Sequence, residues 1–209
     1  LVGSVGDAPV GAFTSQAWPV LSALAEAGGS PPLLVAKLAG LAAGLLALAV
    51  LAFGSRRLLP NASDRLAASL LLATSTSFVS MSVSGMENVA FAAAASLLIP
   101  LLGPWDERDA AGRVTPRRAA LAGLLSGLLV TIRPEGHVFV VVLLGSLAFA
   151  ARETRDRRPF VAAGVAAGAV LVPFHAFRLA TFGSLVPLTY LAKHRSEEHT
   201  SELQSRQVI

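Results

Sequence analysis

Residues 32 to 54 read PLLVAKLAGLAAGLLALAVLAFG, an apolar run of the length a helix needs to cross roughly 30 Å of hydrocarbon, about 20 residues. Its single charge, Lys37, lies near its start. On either side of the hydrophobic question this run poses, the rest of the chain answers in the same way. Apolar stretches recur from Leu66 to Val83, Met86 to Leu102, Ala119 to Ile132, Val138 to Ala151 and Phe160 to Phe177. With Pro32 to Phe53 they make six candidate membrane segments, and the expected fold is all-α, a polytopic transmembrane helix bundle.

Composition points the same way. Of 209 residues, 54% are hydrophobic and 14% charged, too apolar and too weakly charged for an ordinary soluble domain. There is no cysteine, which excludes disulfides and thiolate metal sites. The formal net charge is +4, yet the arginines sit in short clusters between apolar runs and not in a stripe with interleaved aromatics. That arrangement argues against nucleic acid as a partner and for the lipid bilayer.

The clusters alternate along the chain: Arg56, Arg57 and Arg65; Arg108, Arg113, Arg117 and Arg118; Arg152, Arg155, Arg157 and Arg158. The intervening connections hold only Lys37, Arg133, Arg178 and Lys193. If each apolar stretch crosses once, all the arginine-rich loops fall on one side, which the positive-inside rule makes cytoplasmic. The stretches flanking Arg133 are short, so they read either as two tilted helices or as a re-entrant hairpin with its tip at Arg133 to His137. Three glycine pairs spaced four apart, Gly40 and Gly44, Gly123 and Gly127, Gly164 and Gly168, have the spacing that lets helix backbones approach in lipid.

This reading divides the chain into 1–31, an exoplasmic loop remnant with an interfacial segment; 32–194, the transmembrane domain; and 195–209, a tail. Arg195 to Ser205, RSEEHTSELQS, matches the translation of a sequencing adapter and is expected to be foreign to the natural protein. The first thirty residues carry neither the basic nor the apolar region of a signal peptide, and further sequence is expected upstream of Leu1.

With the arginine-rich loops on one side, the remaining polar groups collect on the other: Phe13 to Trp18, Ser84 to Asn88, Arg133 to His137, and His175 to Lys193. Ionisable groups at membrane depth face a cavity, a partner or a ligand. Glu87 follows a glycine at a helix start, where it either caps the helix or serves function. Arg133 and Glu135 flank a proline and form either an ion pair or a substrate contact. Arg178 and Lys193 are either interfacial anchors or phosphate ligands. His137, His175 and His194 lack metal-ligand spacing, so no metal site or cofactor is assigned. Trp18 and Tyr190 fit an interfacial aromatic belt.

These four places are also where the sequence resembles a known family, the polytopic bacterial glycosyltransferases of the GT-C type, in particular the arabinofuranosyltransferase-like members. Gly11-Ala12-Phe13-Thr14-Ser15-Gln16-Ala17-Trp18 is similar to the family's EGFTSPLW pattern, Ser84-Gly85-Met86-Glu87-Asn88 to SGLET, and Ile132-Arg133-Pro134-Glu135-Gly136 to TRPEG. The stretch from Thr181 to Lys193 is similar to YYGxLLPNTxYAK. Gly11 stands for the family's acidic residue, Gln16 and Ala17 for Pro-Leu, Asn88 for Thr and Leu188 for Asn.

The resemblance implies a transferase that moves a sugar from a polyprenyl phosphate to a cell-envelope glycan acceptor on the exoplasmic face. Its acidic catalytic motif would precede Leu1, leaving this chain inactive alone. Within the chain, the resemblance makes Glu87, Arg133, Glu135, Arg178 and Lys193 the substrate-binding residues. A secondary transporter and a non-catalytic membrane scaffold are the competing readings.

Overall fold

The structure, a computed structural model, describes residues 15, 17–56, 58–102 and 114–185. The chain divides into two compact units, Ser15–Leu171 and Leu1–Thr14 with Val172–Ile209; in the second, the described residues are 172–185. Every regular element among the described residues is helical: α1 Ala17–Ala27, α2 Pro32–Ala49 continuing into a π-helical turn at Val50–Gly54, α3 Ala62–Thr74, α4 Thr76–Val83, α5 Asn88–Ser96, α6 Leu98–Leu102, α7 Pro116–Ile132, α8 Gly136–Thr154 and α9 Arg158–Phe182.

The all-helical expectation holds, but the expectation of six membrane segments does not. Among the described residues, three helices are long and apolar enough to cross a membrane: Pro32–Gly54, Gly136–Thr154 and Arg158–Phe182. A fourth span arises if α3 and α4 count together, although they are bent by 63°. The bend has a local cause in the run Thr74-Ser75-Thr76-Ser77. The Thr74 hydroxyl donates back to the Leu70 carbonyl at 2.8 Å, and Ser75 is extended at ψ 117°, because short hydroxyl side chains compete with the helical ladder. The apolar stretch from Asn88 to Leu102 is a shorter helix, interrupted at Leu97. α7 has 17 residues and spends its first turn on Arg117 and Arg118, which leaves its apolar part below a crossing length.

The Ser15–Leu171 unit is built on small residues. Ala93, Ala119, Ala122, Ala163 and Ala167 are almost fully buried, and among the described residues Leu129 is the largest hydrophobic side chain that is completely enclosed. Leu98, Leu143 and Leu147 are buried with them, but many large apolar side chains face outward: Leu34, Leu38, Leu41 and Leu45 on α2, Val138, Val141, Val142 and Phe149 on α8, and Val161 and Val165 on α9 are all exposed. Lipid tails are as apolar as leucine, so packing between such helices comes from close backbone approach at small residues.

Two of the three glycine pairs do that work. A Cβ on Gly123 would overlap the backbone of Ala163, and one on Gly127 would sit 3.0 Å from the Val170 Cβ and 3.2 Å from the Ala167 carbonyl oxygen. Gly40 and Gly44 together seat Ser82 of α4, whose carbonyl and hydroxyl oxygens would lie 2.6 and 2.7 Å from the added carbons. The third pair is different: Gly164 has only the Leu144 side chain at 3.9 Å, and Gly168 has open space.

Gly123→Ala therefore lowers the thermal unfolding temperature of the detergent-purified protein, with a loss of roughly 1–3 kcal/mol from forced separation of packed backbones. Gly168→Ala leaves it unchanged or slightly raised, as alanine favours the helix.

Candidate functional site

Two turns build the site, and both are set by local sequence. The first is at Gly85, which closes the α4 end at φ +78°, a left-handed conformation that glycine adopts without Cβ strain. Its carbonyl oxygen accepts a 2.6 Å hydrogen bond from the Trp18 indole Nε1–H. Trp18 is held in turn at the start of α1, where its backbone N–H donates to the buried Ser15 hydroxyl at 3.3 Å. Gly85 also lies against the first turns of α2, with the Lys37 backbone nitrogen and Cγ each 3.5 Å from where a Cβ would be.

The second turn is Arg133-Pro134-Glu135-Gly136. α7 ends as Arg133 becomes extended, at φ −149° and ψ 145°, the conformation a following proline imposes. The amides of Gly136, His137 and Val138 then donate to the carbonyls of Arg133, Pro134 and Glu135 at 2.9, 3.1 and 3.0 Å, opening α8 with a tight turn. Gly136 is buried against the α7 backbone at Leu129 and Val130, where a Cβ would overlap main-chain atoms. This contact folds α8 back on α7, and the two helices pack extensively. The flanks of Arg133 are thus two packed helices, of which α8 alone reaches spanning length.

Arg133 joins the two turns. Its Nε–H donates to Glu135 Oε2 at 3.2 Å and its Nη2 to Oε1 at 3.1 Å, a side-on bidentate pair. Its Nη1 donates to the Asn88 side-chain oxygen at the start of α5. A guanidinium carries five N–H donors, so these three bonds leave two, and with a side chain 31% exposed Arg133 can still grip an oxyanion. Burial pushes the Glu135 carboxyl up, but the Glu135 backbone amide and the adjacent Arg133 guanidinium outweigh it and hold the group below its ordinary value.

The expected site residues separate accordingly. Arg133 and Glu135 are paired with each other, in accord with the ion-pair alternative, and the pair leaves donors free. Glu87 occupies the N-cap position of α5, where the helix dipole favours a carboxylate, but makes no side-chain capping hydrogen bond; the residue is half-buried and, among the described residues, forms no ion pair. Arg178 belongs to the second unit, near the end of α9. It is 2% exposed, its guanidinium carbon stands 6.0 Å from the ring centres of both Phe174 and Phe182, and its Nε and Nη2 find no hydrogen-bond partner among the described residues. Lys193 lies outside the described residues, as do Tyr190 and His194.

Two participants entered the sequence reading without a partner. Asn88 looked like a substitution in a motif and Trp18 like a belt aromatic. The only signal that could have found them was their position inside or beside the polar clusters, since each acts through a neighbour distant in sequence. Among the described residues, no group of three or more His, Asp or Glu side chains could hold a metal ion. No protein-family model matches the chain, and neither a curated protein nor a solved structure matches it significantly.

The depressed Glu135 carboxyl has a pH signature. Its contribution to stability is present above the ordinary carboxylate range and is lost as pH falls through the depressed value. Glu135→Gln therefore lowers the unfolding temperature at neutral pH and matches the wild type in strong acid; a gap of the same size at both pH values would show that the ion pair is not its source.

Proposed function

We propose that this chain is part of a membrane glycosyltransferase of the GT-C type, which transfers a sugar from a polyprenyl-phosphate donor to a cell-envelope glycan acceptor on the exoplasmic face. The observation that carries the reading is the convergence of three sequence elements that resemble this family. The residues around Trp18, the Ser84-to-Asn88 turn and the Arg133-to-Gly136 turn meet through the Trp18 to Gly85 and Arg133 to Asn88 hydrogen bonds.

The chemistry suits those residues. When an acceptor hydroxyl attacks the anomeric carbon, the bond to the lipid phosphate oxygen breaks and negative charge grows on the phosphate. Preorganised cations stabilise that charge. Arg133 is preorganised by Glu135 and Asn88 and keeps two donors for the phosphate. Arg178 and Lys193 supply further positive charge in this reading, and Glu87 orients the sugar hydroxyls. The acceptor proton requires a carboxylate base; the reading assigns that role to no residue of this sequence. The arginines at the far ends of α2, α7 and α8 favour the cytoplasm, which supports an exoplasmic Arg133 turn in this reading, the side where polyprenyl-linked sugars are consumed.

A secondary transporter is the second reading, favoured by the 63° break between α3 and α4, since discontinuous helices flank transporter sites. In the full-length protein, Arg133→Ala reduces sugar transfer from a polyprenyl-phosphate donor by about 10²–10³-fold. Arg133→Lys restores only part of it, because an ammonium lacks the bidentate fork. Unaltered transfer in a folded Arg133→Ala protein removes Arg133 from the role, and solute uptake without sugar transfer supports the transporter.

A further inference from the structure

At the end of the Ser15–Leu171 unit remote from Arg133, the corner between α8 and α9 encloses a cleft of about 710 Å³ lined by Ala148, Ala151, Arg152, Arg155, Arg157 and Phe160. The chain turns there because Arg155 is left-handed, at φ 57°, and because Asp156 restarts the helix by accepting the Arg158 backbone N–H on Oδ1 at 3.0 Å. That turn brings arginines from the end of α8 and the start of α9 around one space. The small side chains of Ala148 and Ala151 leave the room, and half-buried Phe160, packed on the hydrophobic core, forms an apolar wall.

The arginines are not neutralised locally. Among the described residues the one ion pair is Arg133 with Glu135, so Arg152, Arg155 and Arg157 have no carboxylate partner there. Glu153 does not line the cleft. Asp156 borders an adjoining cleft with Arg155, Arg157 and Arg158, but one of its oxygens is committed to the Arg158 amide. Three guanidiniums around one cavity form a phosphate receptor. Beside it, Phe149 and Val161 are exposed on helices long and apolar enough to span, a surface for acyl chains that a free phosphate would not use.

We infer that the α8–α9 corner is a binding site for an anionic phospholipid, its headgroup phosphate held by Arg152, Arg155 and Arg157 and its acyl chains lying along Phe149 and Val161. Basic pockets between membrane helices take anionic headgroups in this way. The site is independent of the glycosyltransferase reading.

Native mass spectrometry of the detergent-purified full chain tests it with phosphatidylglycerol, phosphatidylcholine and inorganic phosphate as probes. Wild type retains phosphatidylglycerol in preference to phosphatidylcholine, and Arg152→Gln/Arg157→Gln weakens that retention about tenfold or more. Arg117→Gln/Arg118→Gln, which removes the same charge from the start of α7, retains it. Equal retention by wild type and the Arg152/Arg157 variant overturns the site, and equal loss in both variants reduces it to diffuse charge. Competition by inorganic phosphate at the lipid's own concentration overturns the lipid assignment in favour of a small-anion site.

Discussion

Backbone-to-backbone contact at glycine and alanine is the constraint on which this bundle depends. In a lipid setting, large apolar side chains gain little by turning inward, so helices cohere where they can come closest. Gly123 rests on the backbone of Ala163, and Gly136 rests on the end of α7. The two contacts use one helix, α7, as the common support of α8 and α9. The consequence is that alanine, glycine and serine hold the closest helix contacts beside a few buried leucines and valines such as Leu129 and Leu143, while many other leucines, valines and phenylalanines cover the outside.

The same contacts place the chemistry. Pro134 turns Arg133 out of the helix into an extended conformation, Gly136 admits α8 directly onto the last turn of α7, and Arg133 reaches across to Asn88. Its partners restrict its rotamers without consuming all of its donors. A lysine at this position could satisfy Glu135 or Asn88 as a point charge, but it could not hold both in a fixed plane and still offer parallel donors. Glycine at 85 acts similarly, since its left-handed backbone aims a carbonyl at the Trp18 indole. Structural joint and candidate anion ligand are thus one residue, and substitution tests at Arg133 need a folding measurement beside the activity.

Charge is sorted between the two ends of the helices. The ends of α2, α7 and α8 near Gly85 and Arg133 carry few charges, with Arg133 and Glu135 paired, whereas the opposite ends carry Arg56, Arg117, Arg118 and Arg152. Arginine near an anionic leaflet is favourable at about 1 kcal/mol per residue. A cluster at one end therefore both orients the bundle and provides the means to hold a lipid headgroup at the α8–α9 corner.

The all-helical fold was legible in the sequence because long apolar runs with no strand-like alternation admit little else; α2 and α9 were recognisable from length, whereas the apolar stretch of α8 read as short. The span count was not, because apolar character does not reveal that Thr74 and Ser75 break a run or that Leu97 interrupts another. Arg133 and Glu135 were visible as a pair, since two residues and a proline keep them close. Trp18 with Gly85 and Asn88 with Arg133 lie 67 and 45 residues apart, and no local pattern specifies such partners. By itself the sequence determined which segments are helical and which residues are polar among apolar ones, because both are properties of local composition. Only the tertiary structure decided which of those polar residues meet, because that follows from where glycine and alanine allow one backbone to lie against another.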